Sequence, residues 1–282
     1  MPGKEKWILI TGASTGIGRA TAEYLASHDF NVYGGVRKEK DYQALKKIQN
    51  VTPIKLDVTL EDSIQKAYED IKKNKTGLHA LVNNAGIARA GPLMDLSIKD
   101  LYEQFEVNLF GVHRVTKTFF PLLQKTKGRI IMISSDSGFF ATPFFGPYCS
   151  SKFALEGYSD SLRRELILCD MEVILIQPGR VTTPIWEKGE ALLEQEKESI
   201  FIKYAKELGK EAIKKGKTKG LKPKEVAKTV YEALTTQKPK LRYLIAPSTI
   251  KYRLIKLFPE KWVDKLVNKE FEKIEEKFGE ID

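Results

Sequence analysis

The chain has 282 residues, 42% of them hydrophobic and 30% charged, which suits one large buried core and argues against a disordered or repetitive protein. Lysine and arginine exceed aspartate and glutamate, 47 against 37, which favours anionic partners, yet no aromatic-interleaved basic motif or helix-turn-helix pattern points to nucleic acid. Two cysteines without CxxC spacing and three scattered histidines argue against a disulfide framework and against a metal site.

Short apolar runs at Trp7 to Ile10, Asn31 to Val36, Val51 to Leu56, His79 to Val82, Arg129 to Ser134 and Val173 to Gln177 read as buried strands. Helical patterns lie between them at Gly18 to Ser27, Ser63 to Lys73, Leu101 to Gln124 and Tyr148 to Leu168. This alternation predicts an α/β fold with a doubly wound parallel sheet and right-handed crossovers, three layers thick, in a single domain over 1–282. After Pro184 the rhythm changes to a charged, helix-prone insertion, taken as 185–222, then a helix opened by Pro223 and a strand near Leu241 to Ala246. From residue 249 onward apolar residues recur among lysines at roughly helical spacing, an amphipathic extension (249–282) that needs a partner. Packing on its own core or on a sister subunit is favoured over contact with a membrane surface. Residues 1–6 are polar and no run of 18 apolar residues occurs, so the expectation is a soluble, cytoplasmic protein.

The first strand leads directly into Thr11-Gly12-Ala13-Ser14-Thr15-Gly16-Ile17-Gly18 and then a helix. Glycine permits positive φ and close backbone approach, and a helix N-terminus favours negative charge. Gly12, Ser14, Thr15, Gly16, Ile17 and Gly18 are therefore the candidate seat of a dinucleotide pyrophosphate. The second strand ends without the acid that would accept a ribose 2′-hydroxyl; it reads Gly34-Gly35-Val36-Arg37-Lys38. Arg37, with Lys38 beside it, suits a 2′-phosphate, so NADP is expected over NAD, against the alternative that Arg37 is a plain surface cation. Asp57 and Val58, just past the third strand, are candidates for the adenine end.

Tyr148 and Lys152 stand four apart at the start of a helix and share one face. An ammonium beside a phenol, together with the positive nicotinamide of an oxidised cofactor, favours the phenolate. Lys152 is therefore expected to tune Tyr148 downward as a proton donor and acceptor and to hold the cofactor's ribose hydroxyls, which places Tyr148 and Lys152 among the cofactor-binding candidates as well.

Taken together, TGASTGIG at 11–18, NNAG at 83–86, Asn108, ISSDSG, YCSSK and the Pro178-Gly179 pair resemble the short-chain dehydrogenase/reductase family over about Trp7 to Ile185. The resemblance implies an NADP(H)-dependent oxidoreductase interconverting a carbonyl and an alcohol. It implies Ser135 as the serine that holds the substrate oxygen, and strand alternation lets only one of Ser134 and Ser135 face the site. Asn108 matches the asparagine that holds a proton-relay water beside Lys152, although a mid-helix asparagine also suits a satisfied polar core. Asn84, Ala85 and Gly86 match the wall of the adenosine side. Pro178, Gly179, Val181 and Thr183 match the stretch around the nicotinamide. Cys149 departs from the small residue of many relatives. The family implies a homodimer or homotetramer through the two long helices.

Substrate loops are expected at Phe139 to Pro147 and Ile185 to about Leu208, where Phe139, Phe140, Phe144, Phe145, Ile185 and Trp186 would line an apolar pocket for a lipophilic small molecule such as a steroid or retinoid. The competing readings are a non-catalytic dinucleotide-binding regulator of the same fold and a nucleotide-sugar enzyme.

Overall fold

The computed structural model describes residues 6–75, 77–187, 199–246 and 258–278. Seven strands, β1 (Trp7–Ile10), β2 (Asn31–Val36), β3 (Val51–Lys55), β4 (Ala80–Asn83), β5 (Arg129–Ile133), β6 (Val173–Pro178) and β7 (Arg242–Ile245), form one sheet in the order β3-β2-β1-β4-β5-β6-β7, every pairing parallel. Parallel pairing forces each connection to cross a face of the sheet, so both faces are covered and the strands are apolar on both sides. The alternation is strict. Ile8, Ile10, Ile131, Ile133, Ile174 and Ile176 point into one core layer, and Leu9, Ile130, Met132, Val173 and Leu175 into the other.

The first layer is closed by α1 (Gly16–Ala26), α2 (Glu39–Lys46) and α8 (Pro223–Thr235); the second by α3 (Glu61–Lys73), α5 (Gly111–Gln124) and α6 (Gly146–Leu166). Chain order reverses between β1 and β4, and their carboxyl ends leave the crevice where an open α/β sheet binds its ligand.

Two elements differ from the sequence expectation. The long helix expected at Leu101 to Gln124 starts earlier, as α4 (Ile98–Phe105), because Ser97 and Asp100 form a reciprocal capping box. It then widens into a π-helical turn at Glu106–Phe110 before α5. The helix α2 was not expected, since only Leu45 of its eight residues is buried and the apolar period is almost absent.

The helix α7 (Ile202–Lys219) fills much of the expected insertion, while residues 188–198 lie outside the described residues. The tail is described from 258, and α9 (Glu260–Phe278) lies against α7. The Tyr204 hydroxyl donates to Glu275 Oε1 at 2.6 Å, Lys277 Nζ donates to Glu207 Oε2 at 2.9 Å, and Ile274 is buried. Packing on the chain itself, one of the two forms of the favoured reading of the tail, describes this half of the helix; Phe258, Trp262 and Leu266 are exposed. Among the described residues no helix is long and apolar enough to cross a membrane.

Candidate active site

The glycine turn leaves β1 and enters α1 with Gly12 at φ 65° and Gly16 at φ 57°, conformations that a Cβ disfavours. At the head of α1, Thr15 makes no side-chain cap and the first turn holds no acidic residue, so the protein's own side chains do not compete for its N–H groups. The turn is braced from β4. The Thr11 hydroxyl accepts from the N–H groups of Asn84 and Ala85, both at 2.9 Å, and Asn84 Nδ2 donates to the carbonyl oxygens of Thr11 (2.9 Å) and Gly12 (3.1 Å). A Cβ on Gly12 would come within 2.9 Å of Ala85 Cα, and one on Gly18 would run into the Gly12 carbonyl oxygen and the Asn84 amide. These features fit a backbone cradle for a pyrophosphate. Gly18→Ala is accordingly expected to cost about 1–3 kcal/mol through overpacking, and to weaken NADPH binding at least tenfold, as read by thermal melting and a fluorescence titration.

The residues expected at the adenosine end lie beside β2. The Ala13 N–H donates to the Gly35 carbonyl at 2.9 Å, which draws the turn over the end of that strand. Arg37 is 61% exposed and pairs loosely with Asp57, at 3.7 Å; Asp57 Oδ1 accepts from both N and Oγ1 of Thr59. Lys38 is exposed at the start of α2, and Val58 is buried beneath Gly111. Across the crevice, Pro178 ends β6 and the Gly179 N–H donates to the Ile245 carbonyl at 2.8 Å. Thr183 approaches the glycine turn closely enough that a Cβ on Gly16 would lie 3.1 Å from its methyl group. Val181 is buried, and its carbonyl accepts from the Trp186 indole at 2.7 Å.

Tyr148 and Lys152 sit on the first two turns of α6, with Lys152 Nζ 5.7 Å from the Tyr148 ring centre. Ser135, two residues past β5, has its hydroxyl close enough to act on the Tyr148 phenol and donates to Asp136 Oδ1 at 2.8 Å. Ser134 faces the other way; its buried hydroxyl has no hydrogen-bond partner among the described residues. Asn108 is buried in the π-helical turn. Its Nδ2 donates to the Ile87 carbonyl and to Ser151 Oγ, each at 3.1 Å, and its Oδ1 accepts from the Ile87 N–H at 2.9 Å. It thus ties the segment after Gly86 to the residue preceding Lys152.

Burial is the largest influence on Tyr148 and pushes its phenol above the ordinary range; the Ser135 hydroxyl opposes this, while Asp136 and Cys149 add to it. The Lys152 ammonium is desolvated in its turn. Burial lowers it to about 8 against the field of Glu156, and Nζ donates to the Ile133 carbonyl at 2.8 Å. A phenol held protonated is the form of a proton donor.

Aromatic rings border the site. Phe145 lies 4.7 Å from Tyr148 between ring centres, and Phe144, in the left-handed region at φ 60°, lies 6.0 Å from Phe271 of α9. Trp186, expected in the substrate wall, turns its indole N–H to Val181 and packs on Gly216 of α7. Three contributors lay outside the sequence expectation: Thr11 as the brace of the glycine turn, Gln104, whose buried amide bonds the backbone of Ile87 and Arg89, and Glu156. Only Thr11 carried a signal, as the first residue of the glycine motif.

A family profile for short chain dehydrogenase matches residues 6–194. This chain belongs to that family. An NADPH-dependent 3-dehydrocapnine reductase of Ornithobacterium rhinotracheale is 36% identical over 95% of this chain and 98% of its own length. A short-chain dehydrogenase from Streptomyces avermitilis superposes with a TM-score of 0.78 at 25% identity, covering 99% of this chain and 100% of its own. An alcohol dehydrogenase from the archaeon Thermococcus sibiricus, solved with 5-hydroxy-NADP, gives 0.68 at 25% identity over 85% and 95%. The sheet order and the family together make this chain an NAD(P)-dependent oxidoreductase of Rossmann-like architecture.

Proposed function

We propose that this protein is an NADPH-dependent carbonyl reductase, reversible to an alcohol dehydrogenase, acting on a bulky apolar substrate. The observation that carries the reading is the placement of Tyr148 where burial keeps its phenol protonated and the Ser135 hydroxyl acts on it, with Lys152 on the next turn of the same helix face. When bound, the dinucleotide supplies the hydride. Gly12, Ser14, Thr15, Gly16, Ile17 and Gly18 hold the pyrophosphate on backbone N–H groups. Arg37 and Lys38 take the 2′-phosphate, Asp57 and Val58 meet the adenine, and Asn84, Ala85 and Gly86 wall the adenosine side. Pro178, Gly179, Val181 and Thr183 border the nicotinamide.

The Ser135 hydroxyl orients the substrate oxygen, and Tyr148 delivers its proton to that oxygen as negative charge develops there. The Lys152 ammonium stabilises the phenolate left behind. Asn108 keeps the segment after Gly86 at a fixed distance from α6. The relative's NADPH dependence and the absence of an acid at the end of β2 support NADP over NAD.

Phe145 beside Tyr148, and next to it in the chain Phe144 against Phe271 with Tyr204 behind, support an apolar substrate. Exposed Tyr102, Phe110 and Phe153 support the expectation that α4 to α6 meet a second copy, as a homodimer or homotetramer in the cytoplasm. NADPH absorbance followed against hydrophobic ketones, aldehydes and small sugars tests the reading. Bulky apolar carbonyls are expected to exceed sugars by at least about tenfold in kcat/KM; equal or preferred turnover of sugars overturns the substrate class.

A further inference from the structure

We infer that Glu156 is a positioning residue for this reaction, one carboxylate that locks the segments presenting Ser135, Lys152 and Pro178 together and keeps Lys152 charged. The inference rests on the roles given above to Tyr148 and Lys152.

Tyr148, Lys152 and Glu156 recur every fourth residue of α6 and so line one face of the helix. Glu156 is the inward end of that row, its side chain only 12% exposed. Its two oxygens are taken by different strands. Oε1 accepts from Gln177 Nε2 on β6 at 2.9 Å, and Oε2 accepts from Arg242 Nε on β7 at 2.9 Å. Gln177 immediately precedes Pro178 and Gly179. The third contact is with the turn after Ser135, where a Cβ on Gly138 would lie 3.0 Å from Glu156 Cγ. A single side chain thus touches the helix of Tyr148 and Lys152, the loop of Ser135, the strand leading to the nicotinamide stretch, and the edge strand. A carboxylate so deeply enclosed is costly unless its oxygens are satisfied, and here hydrogen-bond donors meet both.

The charged groups around it are Lys152 and Asp160 on α6 and Arg242 on β7, which also pairs with Asp160 at 3.0 Å; Asp136, on the turn after β5, acts on Tyr148. Glu156 is the charge that opposes the desolvation of Lys152. A group whose proton is held by a neighbouring anion loses it at lower pH when that anion is neutralised. Reduction that needs the ammonium therefore declines as pH rises through the Lys152 value of about 8, and Glu156 sets where that limb falls.

The test is the pH profile of kcat/KM for Glu156→Gln and Arg242→Gln, together with a titration of Lys152 by NMR on protein labelled at lysine Cε, the signal assigned with Lys152→Met. Glu156→Gln keeps the shape and removes the charge; its alkaline limb and the Lys152 titration are expected to move down by roughly one pH unit. Arg242→Gln frees Glu156 from its countercharge and is expected to move both upward, and Glu156→Asp to restore the wild-type limb. A uniform loss of rate with an unmoved limb and an unmoved Lys152 titration makes Glu156 a brace alone and overturns the inference, as does a downward shift in Arg242→Gln. If Glu156→Gln does not fold, the Arg242→Gln arm decides. The NMR titration needs no turnover, so it stands even if Tyr148 proves not to be the proton donor.

Discussion

Tyr148→Phe loses turnover by a factor of about 10² to 10⁴, the usual contribution of a positioned general acid. It also keeps NADPH binding, because the change removes one oxygen from a side chain that packs on Phe145 and leaves the glycine turn untouched. Stopped-flow reduction and a fluorescence titration of the same preparation separate the two effects. Full activity in the variant refutes the assignment of the donor, since the Ser135 hydroxyl, already engaged with Asp136 and the Ser137 N–H, has no comparable proton to give. The expectation follows from burial. A phenol raised above its ordinary range holds its proton at neutral pH and so keeps the form that can give it.

Arg37→Asp shifts the ratio of kcat/KM from NADPH toward NADH. A charge-assisted hydrogen bond is worth about 1.5–3 kcal/mol, which corresponds to a factor of roughly 10 to 150. The new carboxylate stands beside Asp57, now the partner of Arg37 at 3.7 Å, so two like charges replace a loose ion pair at the proposed 2′-phosphate position. Lys38 remains next door and limits the change. Because Arg37 is largely exposed, the preference should weaken as salt is added. An unchanged cofactor ratio across ionic strength sinks the phosphate-clamp argument. The measurement is steady-state kinetics with both dinucleotides at two salt concentrations.

The parts of the molecule legible in the sequence are those where both faces of an element are buried. Strands such as Ile8 to Ile10 and Ile130 to Ile133 show as continuous apolar runs because the parallel sheet hides them on both sides. The glycine turn was legible because backbone approach demands a missing side chain at fixed positions. What stayed hidden depends on distance in sequence or on weak periodicity. The helix α2 buries only Leu45, so no apolar stripe announced it. The π-helical turn at Glu106–Phe110 has no proline or internal glycine to mark it, yet it turns Asn108 toward Ile87 and Ser151.

Glu156 reads as one more charged residue on a helix until Gln177 and Arg242 arrive from strands that follow it. The burial of Tyr148 and Lys152 was not legible either. A lysine four residues away suggests a lowered phenol, but burial acts on both groups and carries each toward its neutral form.

The reversal of chain order between β1 and β4 carries a cost in time. Thr11 and Gly12 emerge early, but the Asn84 that braces them arrives only after three helix crossovers, through α1, α2 and α3. A growing chain halted before β4 would own the glycine loop and nothing to hold it in shape. Competence for nucleotide capture should therefore appear late during refolding, together with closure of the central strands and well after the earliest helical signal.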